Sequence, residues 1–293
     1  MRVSFLVSKE WVEPSMKRIL LLLEGFAAEI SAINLAFSLA EPSRAGVVVM
    51  CCKEDVDAVR KSSLDRLVAH AKSLSTTMNT PLDVREVAER HPADAVREVA
   101  RKEDINLIVL GVAKSQLPKQ LLGPINRDVV RKGKTPTLLV VSPLEEFGDR
   151  YERALRKILV PVEHMSEDIA ALRLAAALTA VSAARDTELI AFNTIILPAL
   201  VPMTATDLPE IRRGREKFQQ SIDKFMHETG TRLTVRQVPA RTPDEAIIEV
   251  ANEEEVDLII LSGRRRPGTL ATLVSSFRIA TEARAAVVFV YAP

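Results

Sequence analysis

The sequence is poor in the residues that most often carry metal binding and redox chemistry. It contains two cysteines, four histidines and one tryptophan, and aromatic residues make up only 4% of the chain. Cys51 and Cys52 are adjacent, so they would point to opposite faces of a strand, and no CxxC spacing indicates a metal or redox pair. We interpret both as small buried hydrophobic residues. The histidines show no metal-ligand spacing, because each falls on a different element: His70, His91, His164 and His227.

An excess of one charge and long apolar runs are also missing. Lys plus Arg number 40 and Asp plus Glu number 39, so no net field attracts nucleic acid or an anionic membrane surface. Apolar runs such as Ile19–Leu23 have the length of a strand, far below the roughly 18 residues of a spanning helix. Lys9, Glu10 and Glu13 interrupt the apolar core that a signal peptide would need. We expect a cytoplasmic protein with neither nucleic acid nor membrane as a partner.

Patterns typical of helices and strands alternate along the chain, and 47% hydrophobic residues are enough for a buried core. Continuous apolar runs favour strands that are covered on both faces. The alternation predicts an α/β fold with a doubly wound, mostly parallel sheet. The predicted strands of the first half are 18–23, 46–52, 82–88, 107–110 and 137–141, and its predicted helices are 27–40, 55–77, 91–103 and 125–131.

The second half of the chain repeats the first. RKILVPVEH (156–164) matches KRILLLLEG (17–25), which places Glu163 opposite Glu24 at an offset of 139. RTPDEAIIEVA (241–251) matches RHPADAVREVA (90–100) at an offset of 151. The difference of 12 residues is explained by an insertion at 197–210, which we interpret as an ordered flap or lid before a helix at 211–229. The duplication predicts two tandem copies of one domain.

Four segments follow from this repeat: an N-terminal extension (1–15), a first domain (16–143), a charged linker (144–155) and a second domain (156–293). The extension holds the only tryptophan, Trp11, and its role as an edge strand, a partner-binding arm or an upstream start stays open. In the second domain, Thr242 and Glu245 enclose a predicted capping box with Pro243 at the first helical position.

Each copy contains a buried strand, a small residue, a polar turn and a helix. The small residue is Gly111 in the first copy and Ser262 in the second. A turn that leads into a helix N-terminus is a place where backbone N–H groups can hold an anion. This turn is therefore the first candidate for a functional site.

These residues resemble a known family. The KILVPVE opening, the P-x-x-A-I helix start and the LIVLG…TPTLLVV ending are similar to those of a tandem universal stress protein, over residues 16–293. The resemblance implies a Rossmann-like, five-stranded sheet in each domain, contact between the two domains through their fifth strands, and a homodimer. In members that bind ATP it also implies an aspartate at the end of strand one and a G-x2-G-x9-G-[ST] pattern after strand four.

In the first half this sequence departs from the family's ATP pattern. Gly111 keeps the first glycine, but Lys114 replaces the second, and Gly123 comes one residue early. Pro124 stands where serine or threonine would supply a hydroxyl and an N–H donor, and Glu24 replaces the aspartate of strand one. The glycines of the pattern allow phosphate oxygens to approach the backbone closely, and a long side chain would fill that space.

The second half departs further. Ser262, Arg265 and Ser275 occupy the three glycine positions, Ser276 retains the hydroxyl, and Glu163 replaces the aspartate. The run Arg264, Arg265 and Arg266 offers two interpretations: a solvated surface turn, or side chains that bind an anion. The candidate ligand-binding residues of the two halves together are Glu24, Gly111, Lys114, Gly123, Glu163, Ser262, Arg264, Arg265, Ser275 and Ser276.

The resemblance and the departures together predict a non-enzymatic universal stress protein that acts in a stress response by interaction or sensing. No GxSxG, HExxH or P-loop motif is present, and Glu24 and Glu163 lie in different predicted domains, so no paired-carboxylate site is predicted. His164 is interpreted as a loop residue at the carboxyl edge of the sheet. The alternative is that one half still holds ATP, AMP or another phosphate-bearing ligand.

Overall fold

The computed structural model describes residues 17–52, 57–87, 92–114, 124–142, 155–181, 187–197, 200, 202, 208–263 and 270–291, with main chain alone at 124–125, 181 and 270–275. The predictions for the N-terminal extension, for nearly all of the linker and for most of the 197–210 insertion lie outside these residues. None of the helices in the described ranges combines the length and the apolar character needed to cross a bilayer.

Strands and helices alternate, as the sequence predicts. The strands are β1 (Arg18–Leu23), β2 (Gly46–Cys52), β3 (Leu82–Val87), β4 (Leu107–Ala113), β5 (Thr137–Ser142), β6 (Lys157–Pro161), β7 (Glu188–Ile196), β8 (Thr234–Ala240), β9 (Leu258–Gly263) and β10 (Ala286–Tyr291). The helices are α1 (Glu29–Ser43), α2 (Ala58–Thr77), α3 (Pro92–Lys102), α4 (Pro124–Lys132), α5 (Met165–Val181), α6 (Pro209–Thr229), α7 (Pro243–Glu253) and α8 (Leu270–Glu282).

One compact unit contains the described residues between 17 and 142, together with 263 and 286–291. Its strand order is β3-β2-β1-β4-β5-β10, and all pairs are parallel except β5 with β10. In that antiparallel pair Val140 lies opposite Val288. The pairing of the two fifth strands, which the family resemblance implied, is confirmed.

A second compact unit contains the described residues between 155 and 262, together with 270–285. Its strand order is β9-β6-β7-β8, and these pairs are parallel. The strands β1, β2, β4 and β5 are almost entirely buried along their length, which is the burial expected of parallel strands covered by helices on both faces. The predicted fold class, two tandem α/β halves with mostly parallel sheets, is confirmed.

Two local details differ from the sequence prediction. The first helix was predicted to end at residue 40, before Pro42, but α1 continues to Ser43. Proline cannot donate an N–H, and the Ser43 hydroxyl donates to the carbonyl oxygens of Leu39 and Ala40, so the end of the helix keeps hydrogen-bond partners.

The second detail is the start of α7. Thr242 is its N-cap and Pro243 begins the helix, as predicted. The hydroxyl of Thr242 donates to the Glu245 carboxylate at 3.2 Å and makes no hydrogen bond to the main chain of the helix. The predicted capping box is therefore wrong in its hydrogen bonds, because the two side chains bond to each other.

Candidate functional site

The candidate residues of the first half meet at the carboxyl edge of its sheet. β1 and β4 are neighbours, with Leu22 opposite Leu110, so the turn after β1 lies beside the end of β4. Ligands of open α/β sheets bind at this edge, where adjacent strands end. Gly111 was predicted to follow the end of strand four and to precede the polar turn, but it lies inside β4, opposite Val140 of β5. The strand continues past the predicted end because β5 supplies ladder partners as far as Ser142.

The turn after β1 is held by a buried carboxylate that the sequence analysis did not select. Glu29, in the first turn of α1, accepts backbone N–H groups from Glu24 at 2.8 Å, Gly25 at 3.0 Å and Phe26 at 3.3 Å. Its side chain is only 1% exposed. Burial raises the pKa of Glu29 from 4.5 to about 8. The three N–H bonds favour the charged form and lower the pKa, but their effect is smaller than that of burial. The N–H groups of this turn therefore already have an acceptor within the chain.

Gly111 packs directly against the same glutamate. A Cβ atom built on Gly111 would lie 2.8 Å from the Cα atom of Glu29 and 3.0 Å from its Cγ atom. No side chain fits there without moving the first turn of α1. The glycine that the family pattern assigns to a phosphate site thus has a packing role here.

Arg60, near the start of α2, closes the turn from outside. Its Nε and Nη2 atoms donate to the carbonyl oxygen of Glu24 at 3.1 and 2.6 Å. The guanidinium also lies 4.6 Å from the centre of the Phe26 ring, within the range of a cation–π contact. Gly25, between Glu24 and Phe26 in the chain, has φ of 94°, a left-handed conformation that favours glycine.

The enclosed groups are shifted toward their neutral forms. Burial raises the pKa of the Glu24 carboxyl, and the Arg60 charge opposes this shift. Burial, with the nearby Glu24 and Glu29 carboxylates, raises the pKa of the Cys52 thiol to about 12. Both cysteines are buried, as predicted, and neither forms a disulfide bond. A neutral thiol is a poor nucleophile, so Cys52 is suited to packing rather than to reaction.

The second half builds the equivalent turn with a shorter acid. Asp168 lies at the position of Glu29, at the offset of 139, and accepts N–H groups from Glu163 at 2.9 Å and His164 at 3.0 Å. Glu163 and His164 are both exposed. Next to them, the Asn193 side-chain amide donates to the carbonyl oxygen of Val162 at 2.8 Å. Glu163 and His164 are therefore exposed to solvent, whereas Arg60 covers the corresponding turn of the first half.

Ser262 lies in β9 at the position of Gly111. Its Oγ atom is buried and has no hydrogen-bond partner among the described residues. A buried hydroxyl without a partner is costly and is uncommon in proteins. The second half thus carries an unsatisfied polar atom at a position where the first half has only backbone.

The structure places the other candidate residues as follows. Lys114 directly follows β4 and is partly buried, and burial lowers the pKa of its ammonium group. Ser276 is partly exposed on α8, and Ser275 precedes it on the same helix. Gly123, Arg264 and Arg265 lie outside the described residues. The described ranges contain no group of three or more His, Cys, Asp or Glu residues arranged to hold a metal ion.

Sequence reasoning missed Glu29 and Asp168, although a pattern for them was present. In each half a second acid stands five residues after the strand-one glutamate: Glu24 with Glu29, and Glu163 with Asp168. The repeat of this spacing in both halves indicates a shared role, which the structure identifies as holding the turn.

Comparison with known proteins gives one family. A model described as the universal stress protein family matches residues 16–141 and again residues 154–287. A universal stress protein of Methanothermobacter thermautotrophicus is 40% identical to this chain over 60 residues, which is 20% of this chain and 41% of the relative's own length.

Solved structures share the fold over nearly the whole chain. A universal stress protein from Archaeoglobus fulgidus has a TM-score of 0.61 at 13% identity and covers 94% of this chain and 98% of its own. Two shorter universal stress proteins, one in complex with cAMP and one from Archaeoglobus fulgidus in complex with dAMP, cover 42% and 43% of this chain, each with a TM-score of 0.34.

Proposed function

Because this chain belongs to the universal stress protein family, whose domain it carries twice in tandem, we propose that it acts in a stress response without catalysing a reaction, by contacting partners or sensing ligands. The observation that supports this most is the closed turn of the first half. Glu29 occupies three of its N–H groups, and Arg60 occupies the carbonyl group of Glu24. An anion would have to displace a buried carboxylate to reach these donors.

A second candidate function is nucleotide binding by the second half alone. Its strand-one turn is exposed, and the buried Oγ atom of Ser262 has no partner in the described part of the chain. Ser276 supplies a partly exposed hydroxyl on α8, as the family pattern requires. These features favour a ligand such as ATP or AMP at the second edge over one at the first.

The two candidates are separated by thermal unfolding of the purified chain with ATP, AMP and cyclic AMP. A ligand at a hundred times its Kd stabilises a protein by about 2.7 kcal/mol, which is an easily measured shift. The interaction function predicts no shift with any nucleotide and no release of phosphate from ATP. Binding in the second half predicts a shift that Ser276→Ala reduces and Lys114→Ala leaves unchanged. Sustained ATP hydrolysis would contradict both.

We also propose that two copies of the chain associate in the cytoplasm, as the family resemblance implies. Sedimentation equilibrium on the full chain tests this, because a homodimer doubles the mass of 32.3 kDa. A mass that stays at the monomer value over the whole concentration range would contradict the homodimer and leave the other proposals intact.

A further inference from the structure

Helices α7 and α8 of the second half pack against each other and are joined by an ion pair. Nη1 of Arg278, on α8, donates to Oδ2 of Asp244, in the first turn of α7, at 3.2 Å. The Asp244 side chain is only 10% exposed, whereas the Arg278 side chain is 40% exposed. Burying a carboxylate is costly unless it is paired, so Asp244 depends on the guanidinium of the neighbouring helix.

Two further contacts hold the same pair of helices. Within α8, Nε of Arg278 donates to Oε1 of Glu282 at 3.0 Å, which fixes the position of the guanidinium. Just beyond α8, the backbone N–H of Arg284 donates to the side-chain oxygen of Asn252, near the end of α7, at 2.9 Å. Residues of α8 and of the turn after it are therefore tied to both ends of α7.

The first half packs its equivalent helices without such an ion pair. α3 and α4 are in contact, but Ala93 stands at the position of the buried acid, at the offset of 151. The neighbouring acid, Asp94, pairs with Arg97 of its own helix. On α4, Asp128 likewise pairs with Lys132 of its own helix, at 2.5 Å. Packing of these two helices thus does not require a buried acid, and the acid of the second half needs another explanation.

The ion pair restrains rotation of α8 about its axis, and this rotation decides where Ser276 lies. Ser276 precedes Ile279 by three residues and Ala280 by four, so it shares the inner side of the helix with them. These two residues are 3% and 1% exposed, whereas Ser276 is partly exposed. Arg278, two positions after Ser276, is turned away from it by about 200°, at 3.6 residues per turn. The contact with α7 therefore holds α8 from the side opposite to Ser276.

We propose that Asp244 is a positioning residue, which through Arg278 fixes α8 so that the Ser276 hydroxyl meets a ligand at the carboxyl edge of the second half. This inference rests on the nucleotide-binding candidate proposed above for that half. Buried ion pairs add little net stability, because the cost of removing two charges from water offsets their attraction. Their better-attested use is to select a single arrangement of the elements that they join.

The test replaces Asp244 by alanine, the residue of the first half, in the full chain. In this variant Arg278 keeps Glu282 and its exposure to solvent, so no buried charge loses its partner. The Kd for ATP and for AMP is measured by equilibrium dialysis well below the unfolding temperature, where a loss of stability does not alter the result. We expect a Kd roughly 2- to 10-fold higher than that of the wild type, since a displaced Ser276 loses about one hydrogen bond to the ligand.

Two further variants separate positioning from packing. Asp244→Asn keeps an oxygen that can accept from Arg278, and it should recover most of the affinity. Glu282→Ala removes the other partner of Arg278 but leaves the contact between the helices, and it should bind nucleotide like the wild type. Hydrogen exchange of the α8 amides without nucleotide should be faster in Asp244→Ala than in the wild type or in Glu282→Ala.

A double-mutant cycle identifies the residue through which Asp244 acts. If Asp244 acts by placing Ser276, Asp244→Ala should weaken binding much less when Ser276→Ala is already present. Losses that add in full would show that Asp244 affects the ligand by another route, and would overturn the proposal.

The other outcomes bear on different proposals. No nucleotide binding by the wild type would overturn both the nucleotide function and this inference. Binding by the wild type with an unchanged Kd in Asp244→Ala would overturn this inference alone, even if the variant unfolds earlier, because the ion pair would then serve stability only. An equal loss of affinity in Glu282→Ala, or unchanged exchange of the α8 amides in Asp244→Ala, would also overturn it.

Discussion

The turn after β1 and the turn after β6 hold the same position in the two halves, yet one is closed and the other is open. Both use an acid five residues beyond the strand-one glutamate to accept backbone N–H groups. Among the described residues, only the first turn has a covering guanidinium, that of Arg60 over Phe26. The comparison shows that an acid holds the turn in either half, whereas the residues around it leave the turn covered in one half and exposed in the other.

Two of the differences are coupled by packing. The close packing of the first turn of α1 requires glycine at 111, because a Cβ atom there would be 2.8 Å from the Cα atom of Glu29 and 3.0 Å from its Cγ atom. The second half has the shorter Asp168 and carries serine at the equivalent position, 262. His164 lies in the place of Gly25 without a positive φ. The smaller acid of the second half thus occurs together with a larger residue on the neighbouring strand.

The largest effect is expected from removing the acid of the closed turn. Glu29→Ala leaves three N–H groups without an acceptor in a buried site and should destabilise the protein by about 2–4 kcal/mol. Asp168→Ala frees two N–H groups in a more exposed turn and should cost about 1 kcal/mol. Urea unfolding of both variants measures the difference. Equal losses would show that burial does not distinguish the two turns.

The next largest effect is expected from substituting Gly111, which packs against Glu29. Gly111→Ala should destabilise by about 1–3 kcal/mol, because the new methyl group meets the backbone of α1. Ser262→Gly should cost less than 1 kcal/mol, since it removes only a hydroxyl without a partner and one Cβ atom. Gly214→Ala is the control: nothing lies within 4 Å of that Cβ, and alanine favours the helix, so a gain of roughly 0.5–1 kcal/mol is expected. A stable Gly111→Ala variant would contradict the coupling.

A smaller effect is expected from replacing Arg60, which covers the turn after β1. Arg60→Met removes two hydrogen bonds to the Glu24 carbonyl and the contact with the Phe26 ring, for a loss of about 1 kcal/mol. Because the cover is then gone, a thiol reagent should modify Cys52 faster in the folded variant than in the wild type. Ile211→Met, at the equivalent position of α6, serves as the control and should change neither quantity. An unchanged rate of modification would show that Arg60 does not seal the edge.

The last prediction concerns how steeply the stability of the protein changes with pH. The native state keeps the Glu29 proton up to about pH 8, whereas the unfolded chain loses it near 4.5. Between these values the native state binds more protons, so stability falls as pH rises. Glu29→Gln should make this fall shallower, as measured by melting temperature at several pH values. It should not abolish the fall, because the pKa of Glu24 is also raised. The same slope in both proteins would rule out titration of Glu29.

The bounds of several strands could be predicted from the sequence alone. The bounds of β1 and β2 agree with those of their apolar runs. Both faces of such a strand are buried, so the apolar run itself marks where the strand lies. The end of β4 could not be predicted in the same way. Gly111 and the two residues after it join the strand through pairing with β5, a segment about 30 residues away, which local patterns do not report.

The candidate site was less predictable than the fold. An acid in the first turn of a helix is ordinary, so Glu29 gives no local sign that its side chain turns back to the preceding turn. Gly111 was selected as a candidate for a phosphate contact, but contact with α1 is a second reason for a glycine there, and sequence cannot separate the two reasons. The buried Ser262 hydroxyl without a partner is equally hidden, because a missing partner is a property of three-dimensional packing alone.

The antiparallel pairing of β10 with β5 has a consequence for synthesis of the chain. β5 ends at Ser142, whereas β10 begins at Ala286, so the ribosome makes the edge partner of β5 long after β5 itself. At the usual rates of translation, this interval is on the order of 10 s. During that time an apolar strand edge is unprotected and open to pairing with a neighbouring nascent chain. The first half can therefore complete its folding only after the second half has been translated.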